Sequence, residues 1–121
     1  MAVDPFDERL AQIRLRFASR LEGKIAAVED AAAQFSSRGA SLIESLETAH
    51  RTIHELCGVA PTLGFVAIGR AARSVEQVLL QPLRAQRELT AEEAADLRSG
   101  LDELRATAGA ELLEPKWRAG E

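Results

Sequence analysis

The sequence predicts an all-α fold, an antiparallel up-and-down four-helix bundle with a long first helix. Apolar residues make up 46% of the 121 residues and aromatic residues only 4%, a composition typical of helices packed on helices. Apolar positions recur every three or four residues in four separate stretches, which capping and turn signals separate. This length corresponds to a single domain, which we expect at residues 1–114, followed by a flexible tail at residues 115–121.

The first helix is predicted to begin at Asp4 and Pro5. Asp4 is suited to the N-cap position, and Pro5 is suited to the first helical position because it needs no backbone donor there. Apolar residues follow at helical spacing as far as Phe35, and they are Phe6, Leu10, Ile13, Phe17, Leu21, Ile25, Val28 and Ala32. The pattern predicts one long amphipathic helix that ends near Phe35.

The second helix is predicted to follow a short turn at residues 36–40. Ser41 and Glu44 have the spacing of a capping box, in which each side chain accepts a backbone hydrogen bond from the other residue. A bundle seam follows, formed by Leu42, Leu46, Ala49, Ile53, Leu56, Ala60 and Leu63. Because Pro61 lacks an amide hydrogen, we expect this helix to kink or end between Val59 and Leu63.

Two further helices are predicted in the second half of the chain. The third has apolar residues at Phe65, Ile68, Ala72, Val75 and Leu79. We expect it to stop at Pro82, because the residue before a proline avoids helical geometry. After a connector at residues 82–89, Thr90 and Glu93 form a second capping box. It opens a fourth helix whose apolar face contains Ala94, Leu97, Leu101, Leu104, Ala108 and Leu112.

Charge and composition exclude several classes of protein. Fifteen basic and nineteen acidic residues are interspersed and give a net charge of −4, which argues against a nucleic-acid partner. The single Cys57 cannot form an internal disulfide, and no apolar run approaches the roughly 20 residues of a membrane span. Met1 leads directly into a helix-start signal instead of a signal peptide. We therefore expect a cytoplasmic protein that does not associate with membranes.

Both histidines of the chain, His50 and His54, lie four residues apart on one face of the second helix. This spacing suits a metal, but no Asp, Glu or Cys stands at an obviously matching place in the sequence, so no metal site is predicted. One turn after His54, Gly58 leaves the imidazole uncrowded on that side. Because a neutral imidazole has one nitrogen with a free lone pair, His54 is a competent phosphoryl acceptor.

The stretch from His54 to Gly64 reads His-Glu-Leu-Cys-Gly-Val-Ala-Pro-Thr-Leu-Gly. It resembles the phosphorylation motif of the histidine phosphotransfer (HPt) family, approximately His-x-Leu-Lys-Gly-x-Ala-x-x-Leu-Gly. The resemblance covers about residues 10–80 and implies an antiparallel bundle whose acceptor histidine projects from the middle of a helix into solvent. It selects His54 as the phosphoacceptor, and His50 is expected to pack at the edge of the site.

The chain departs from the family motif at Cys57, where the family usually has a lysine that is thought to favour the charged phosphoryl group. Arg51, or Arg70 and Arg73 on the next helix, would have to supply the missing positive charge. We interpret Cys57 as a small, semi-buried apolar residue instead of a reactive thiol, because no basic cluster immediately surrounds it.

The resemblance implies a phosphoryl carrier of a two-component phosphorelay, one that has no kinase activity and needs no cofactor of its own. Its partners would be a response-regulator receiver domain, a hybrid histidine kinase or both, with Mg²⁺ bound by the receiver. The docking surface is expected on the second helix and the start of the third, at Pro61, Thr62, Phe65, Val66 and Arg70. Two alternatives are a bundle of HPt ancestry that works as a non-phosphorylated binding adaptor, and an oligomerisation scaffold without chemistry.

Overall fold

The computed structural model describes residues 4–36 and 38–113. Within these ranges the chain forms four helices: α1 (Pro5–Ala32), α2 (Ala40–Thr62), α3 (Val66–Ala85) and α4 (Ala91–Leu112). Helices that follow one another along the chain also pack against one another. This arrangement confirms the predicted all-α, up-and-down four-helix bundle. The tail predicted at residues 115–121 lies outside the described residues.

The core is built from the predicted apolar seams. Its fully buried aliphatic side chains come from all four helices, and the largest are Leu21, Ile25, Leu46, Ile53, Leu56, Ile68, Leu79 and Leu104. Two positions of the first seam are exposed instead, Phe6 at 69% and Ile13 at 40%. Arg14 already reaches the end of α2, where its Nε donates to the backbone oxygen of Leu63 at 2.8 Å. Of the predicted seam residues before Arg14, Leu10 is partly buried and still packs against the core.

Two details of the α1–α2 connection differ from the prediction. α1 ends at Ala32, although Phe35 is still buried from the turn that follows. α2 begins with Gly39 at the N-cap position, at a φ of +66°, and no side chain caps it. The predicted capping box at Ser41 is therefore wrong. Glycine tolerates this backbone conformation, so the helix starts two residues too early for Ser41 to serve as its cap.

α2 ends in the predicted region, with Pro61 in its last turn. Gly64 follows at a φ of +94°, and the Phe65 amide donates to the backbone oxygen of Ala60 at 2.8 Å. This is the hydrogen bond of a Schellman motif, in which a left-handed residue lets the chain turn back and satisfies a terminal carbonyl. The reversal takes only Leu63, Gly64 and Phe65, so α3 starts directly beside the end of α2.

α3 does not stop at Pro82, as the prediction required, but continues to Ala85. Pro82 is buried, and its ring adds apolar surface to the core. Only one more helical turn follows Pro82. The helix ends at Gln86, which has the left-handed conformation, and the Arg87 amide donates to the backbone oxygen of Pro82 at 3.1 Å. Burial of the ring and closure of the last turn compensate for the helical hydrogen bond that proline cannot make.

The predicted N-terminal caps of α1 and α4 are confirmed. Asp4 accepts a hydrogen bond from the Phe6 amide at 2.9 Å. Thr90 and Glu93 form the reciprocal capping box, with distances of 2.9 and 3.0 Å. A hydrogen bond from the Arg87 side chain, with the Thr90 amide as the next contribution, lowers the pKa of Glu93 to about 2.

The start of α3 is capped by a residue of α4. Its own N-cap residue, Phe65, makes no side-chain cap. Instead the buried Glu111 accepts from the amides of Ala67 at 3.1 Å and Ile68 at 2.9 Å. A carboxylate is stabilised at a helix N-terminus because the exposed amide groups carry partial positive charge there. Glu111 thus fixes the α2–α3 turn against α4.

The four helices do not pack equally closely. The contact between α2 and α3 is the most extensive, whereas α1 meets α4 only lightly. A cleft of about 470 Å³ lies between the C-terminal part of α1 and the N-terminal half of α4. Arg105 of α4 bridges to α1 by pairing with Glu22 and Glu29. Among the described residues, no helix combines the length and the apolar character that a transmembrane segment requires.

Candidate functional site

His54 lies in the second half of α2 and points away from the core. Its side chain is 71% exposed, whereas that of His50, one turn earlier, is only 24% exposed. The two rings stack, with centroids 5.6 Å apart and an angle of 15° between the planes. His50 therefore supports one flat side of the His54 imidazole and leaves its outer edge open to solvent.

Glu76 of α3 brings a carboxylate to both histidines. Its Oε2 lies 2.5 Å from Nδ1 of His54 and 3.6 Å from Nε2 of His50. The side chain of Glu76 is only 13% exposed, because it lies beside the buried Val75 at the boundary where α3 packs on α2. The closely packed α2–α3 pair therefore determines the position of this carboxylate under the imidazole.

The contact with Glu76 decides which nitrogen of His54 is available for chemistry. A carboxylate accepts hydrogen bonds, so the hydrogen of the neutral ring is held on Nδ1. Nε2 then carries the free lone pair. Since the side chain is largely exposed, this lone pair is accessible to a reactant from outside the bundle. The arrangement presents one oriented nitrogen nucleophile.

Cys57 lies beneath this pair, buried in the wall between α2 and α3. Burial, followed by the charge of Glu76, raises the pKa of the Cys57 thiol to about 11, and nearby Arg73 opposes this shift. The thiol therefore stays protonated and uncharged at neutral pH beside the carboxylate of Glu76.

Gly58 follows His54 by one turn and is exposed. A Cβ atom built on it would meet no atom within 4 Å, so nothing inside the bundle requires a glycine here. Gly69 of α3 is different, because a Cβ atom there would lie 2.5 Å from Cγ of Pro61. Gly69 allows α2 and α3 to approach closely, whereas Gly58 leaves the helix surface one turn after His54 without a side chain.

Most of the predicted docking residues are exposed around the end of α2 and the start of α3. We call this surface the α2–α3 face, and it consists of Gly58, Pro61, Thr62, Val66 and Arg70. Val66 is a large apolar side chain that is 48% exposed. Arg51 and Arg73 are also exposed, Arg51 one turn before His54 and Arg73 close enough to act on Cys57.

Phe65 was predicted to contact a partner, and this prediction is wrong. Its side chain is 1% exposed and stacks on Phe17 of α1, with ring centroids 5.3 Å apart. The Schellman turn directs Phe65 back toward the bundle, so its ring closes the end of the core. Its neighbour Val66 takes the exposed apolar position instead.

Sequence reasoning missed Glu76. It also led to the expectation that no acidic residue would match the histidine pair, and the structure contradicts this. His50, His54 and Glu76 each place one potential ligand atom within 4.8 Å of the others. The available signal was the register of α3, because Glu76 follows the core residue Val75 and therefore flanks the seam that packs on α2.

Comparison with known protein families identifies the family of the chain. The family model described as the Hpt domain matches residues 7–107, which is most of the chain and includes all the residues of the site. Neither a curated protein nor a solved structure matches the chain.

Proposed function

The chain belongs to the Hpt domain family, and from this membership we propose that it carries a phosphoryl group on Nε2 of His54 in a two-component phosphorelay. The observation that supports this most directly is the hydrogen bond from His54 to Glu76, which leaves Nε2 as an exposed lone pair. The phosphoryl donor and acceptor would be aspartates of receiver domains, in a response regulator or a hybrid histidine kinase.

The proposed step is an in-line exchange between an aspartyl phosphate and the imidazole. The lone pair of Nε2 attacks phosphorus, the bond from phosphorus to the aspartate oxygen breaks, and the receiver regains its free carboxylate. The ring gains positive charge as the N–P bond forms. Because Glu76 lies at hydrogen-bond distance from Nδ1, its negative charge stabilises this developing charge at the site of reaction. Transfer in the other direction reverses the same steps.

The receiver is proposed to dock on the α2–α3 face. That face combines the apolar Val66 and Pro61 with the cationic Arg70, and it adjoins the open space at Gly58. Apolar side chains anchor a docked partner, and an exposed arginine attracts an acidic one before contact. The Mg²⁺ that balances phosphoryl charge would be bound by the receiver, and the bundle would act as a carrier without kinase activity. Its cytoplasmic location stays a prediction.

The direct test is phosphate incorporation from a panel of phosphorylated receiver domains in the presence of Mg²⁺. The native protein is compared with His54→Gln and His50→Gln, and the label is examined for the acid-labile, base-stable behaviour of phosphohistidine. We expect the label to be absent only in His54→Gln. Equal labelling of His54→Gln and the native protein would refute the assignment of the acceptor.

Glu76→Gln tests the role of the carboxylate. The amide keeps the size of the side chain but removes its charge and one acceptor oxygen. We expect transfer to slow by roughly 10- to 100-fold, the range found for carboxylates that orient a metal-ligating histidine through its second nitrogen. Glu55→Gln is the matched control, because Glu55 is adjacent to His54 in sequence but pairs with Lys24 of α1.

The binding-adaptor alternative is supported by one observation: Cys57 stands in place of the lysine of the family motif, and a thiol carries no positive charge in either protonation state. An adaptor would bind a receiver without taking its phosphate. Receiver binding by native protein and by His54→Gln alike, with no label in either, would favour this alternative.

A further inference from the structure

His50, His54 and Glu76 resemble a metal-ligand set as well as a phosphoacceptor site. The two histidines are the only ones in the chain, and both lie on the same face of α2 at the i, i+4 spacing. Glu76 adds a carboxylate from α3, and the three ligand atoms lie within 4.8 Å of one another. Two imidazoles and one carboxylate are a ligand set that Zn²⁺ binds well in proteins.

One ligand separation already fits a tetrahedral ion, a second requires a small movement of His54, and all three atoms lie within 4.8 Å of one another. With bonds of about 2.0–2.1 Å, the ligand atoms around Zn²⁺ lie roughly 3.3–3.4 Å apart. Nε2 of His50 and Oε2 of Glu76 are already 3.6 Å apart. Nδ1 of His54 is 2.5 Å from the same oxygen and would have to move outward by somewhat less than 1 Å. Its side chain is 71% exposed, so the ring has room to move toward solvent.

We propose that His50, His54 and Glu76 form a binding site for a divalent transition-metal ion, best suited to Zn²⁺. We also propose that the bound ion prevents His54 from accepting a phosphoryl group. Two helices contribute to the site, and the partly buried His50 and Glu76 form its fixed side. His54 completes it from the solvent side. The fourth position of the tetrahedron remains for water.

The bound ion blocks phosphorylation because a neutral imidazole carries a hydrogen on only one of its two nitrogens. A metal bonded to Nδ1 of His54 displaces the hydrogen from that nitrogen, and the neutral ring then carries it on Nε2. Nε2 no longer has a lone pair with which to attack phosphorus. The ion also binds the carboxylate of Glu76, which would otherwise stabilise the positive charge of the phosphorylated ring. This blocking effect rests on the proposed phosphotransfer function, whereas binding of the metal does not.

Binding is tested by calorimetric titration of the full chain with Zn²⁺, using protein without a polyhistidine tag. We expect one ion per chain, and an affinity reduced at least tenfold in His50→Gln and in Glu76→Gln. Glu55→Gln should keep the native affinity, since Glu55 pairs with Lys24. Unchanged affinity in His50→Gln, or no saturable binding by the native chain, would each overturn the site.

The blocking effect is tested by the ratio of phosphate incorporation with Zn²⁺ to that without Zn²⁺. We expect this ratio to fall in the native protein at Zn²⁺ concentrations that fill the site. In His50→Gln it should stay near one at the same concentrations, which controls for any effect of Zn²⁺ on the receiver. If native protein saturated with Zn²⁺ accepted phosphate as fast as without the ion, the blocking effect would be refuted. Zn²⁺ binding by a chain that accepts phosphate from no receiver would leave the metal site standing and refute the phosphotransfer function.

Discussion

Substitution of Gly58 by alanine is expected to change stability and phosphotransfer in opposite directions. A Cβ atom at this position meets nothing within 4 Å, so it introduces no strain into the bundle. Alanine in place of an exposed glycine in a helix stabilises the folded state by about 1 kcal/mol. For a chain of 121 residues this corresponds to a rise in the melting temperature of about 4 °C.

The same methyl group would lie one turn from His54, on the surface where we propose that a receiver docks. Side chains four residues apart on a helix are neighbours, with Cβ atoms about 5–6 Å apart. Forcing an extra methyl group into a close-packed contact costs about 1–3 kcal/mol. That range corresponds to a fall of roughly 5- to 150-fold in the second-order rate constant for phosphoryl transfer. Gly58→Gln, with a longer side chain, should reduce the rate constant further.

Two measurements on the same samples separate these effects. Thermal unfolding followed by far-ultraviolet circular dichroism gives the stability, and the rate of phosphate incorporation from a phosphorylated receiver gives the transfer. Gly109→Ala is the matched control, because Gly109 is also an exposed helical glycine with nothing within 4 Å, but it belongs to α4. It should gain similar stability and transfer at the native rate. A Gly58→Ala protein that is more stable and transfers phosphate as fast as the native chain would refute the reasoning about access.

Three further substitutions test the structure around the site. Gly69→Ala should lower the free energy of unfolding by about 1–3 kcal/mol, measured by urea denaturation, because the new methyl group would overlap the ring of Pro61. Glu111→Gln should lower it by about 1–2 kcal/mol in the same assay, since a charged cap at the start of α3 is lost. Burial raises the pKa of Cys57 to about 11, so its contribution to stability is present below pH 9 and lost as the pH rises toward 11. Cys57→Ser should remove that part of the alkaline decline in a pH series of urea titrations.

Each of these expectations has a result that contradicts it. Gly69→Ala with native stability would mean that α2 and α3 can separate at no cost. A Glu111→Gln protein as stable as the native chain would show that water caps α3 equally well. Identical alkaline profiles for native protein and Cys57→Ser would mean that the thiol titrates alike in the folded and unfolded chain.

Features that depend on one stretch of sequence could be predicted. The capping box of Thr90 and Glu93 lies within four residues, and both partners are fixed by the start of one helix. The common face of His54 and Gly58 follows from helical periodicity alone. These two relations need no other part of the chain to be placed first, whereas the equally local box of Ser41 and Glu44 did not form because α2 begins at Ala40.

Features that depend on the relative placement of two helices were missed. Glu76 lies 22 residues from His54, and their contact is decided by how α3 sits on α2, which depends on the close approach at Gly69 and Pro61. Apolar character alone did not show whether Phe65 would face a partner or the core. The geometry of the preceding turn determines that choice, and it turns the ring inward onto α1.

The light contact between α1 and α4 indicates where the bundle would open first. On that side a cleft and the ion pairs of Arg105 take the place of continuous apolar packing, and such surface pairs weaken as salt screens them. Amide hydrogens of α1 should therefore exchange with solvent through partial opening before those of α2 and α3, and sooner at high ionic strength. His54 and Glu76 belong to the last unit to open, so transient release of α1 would leave the imidazole and its carboxylate together.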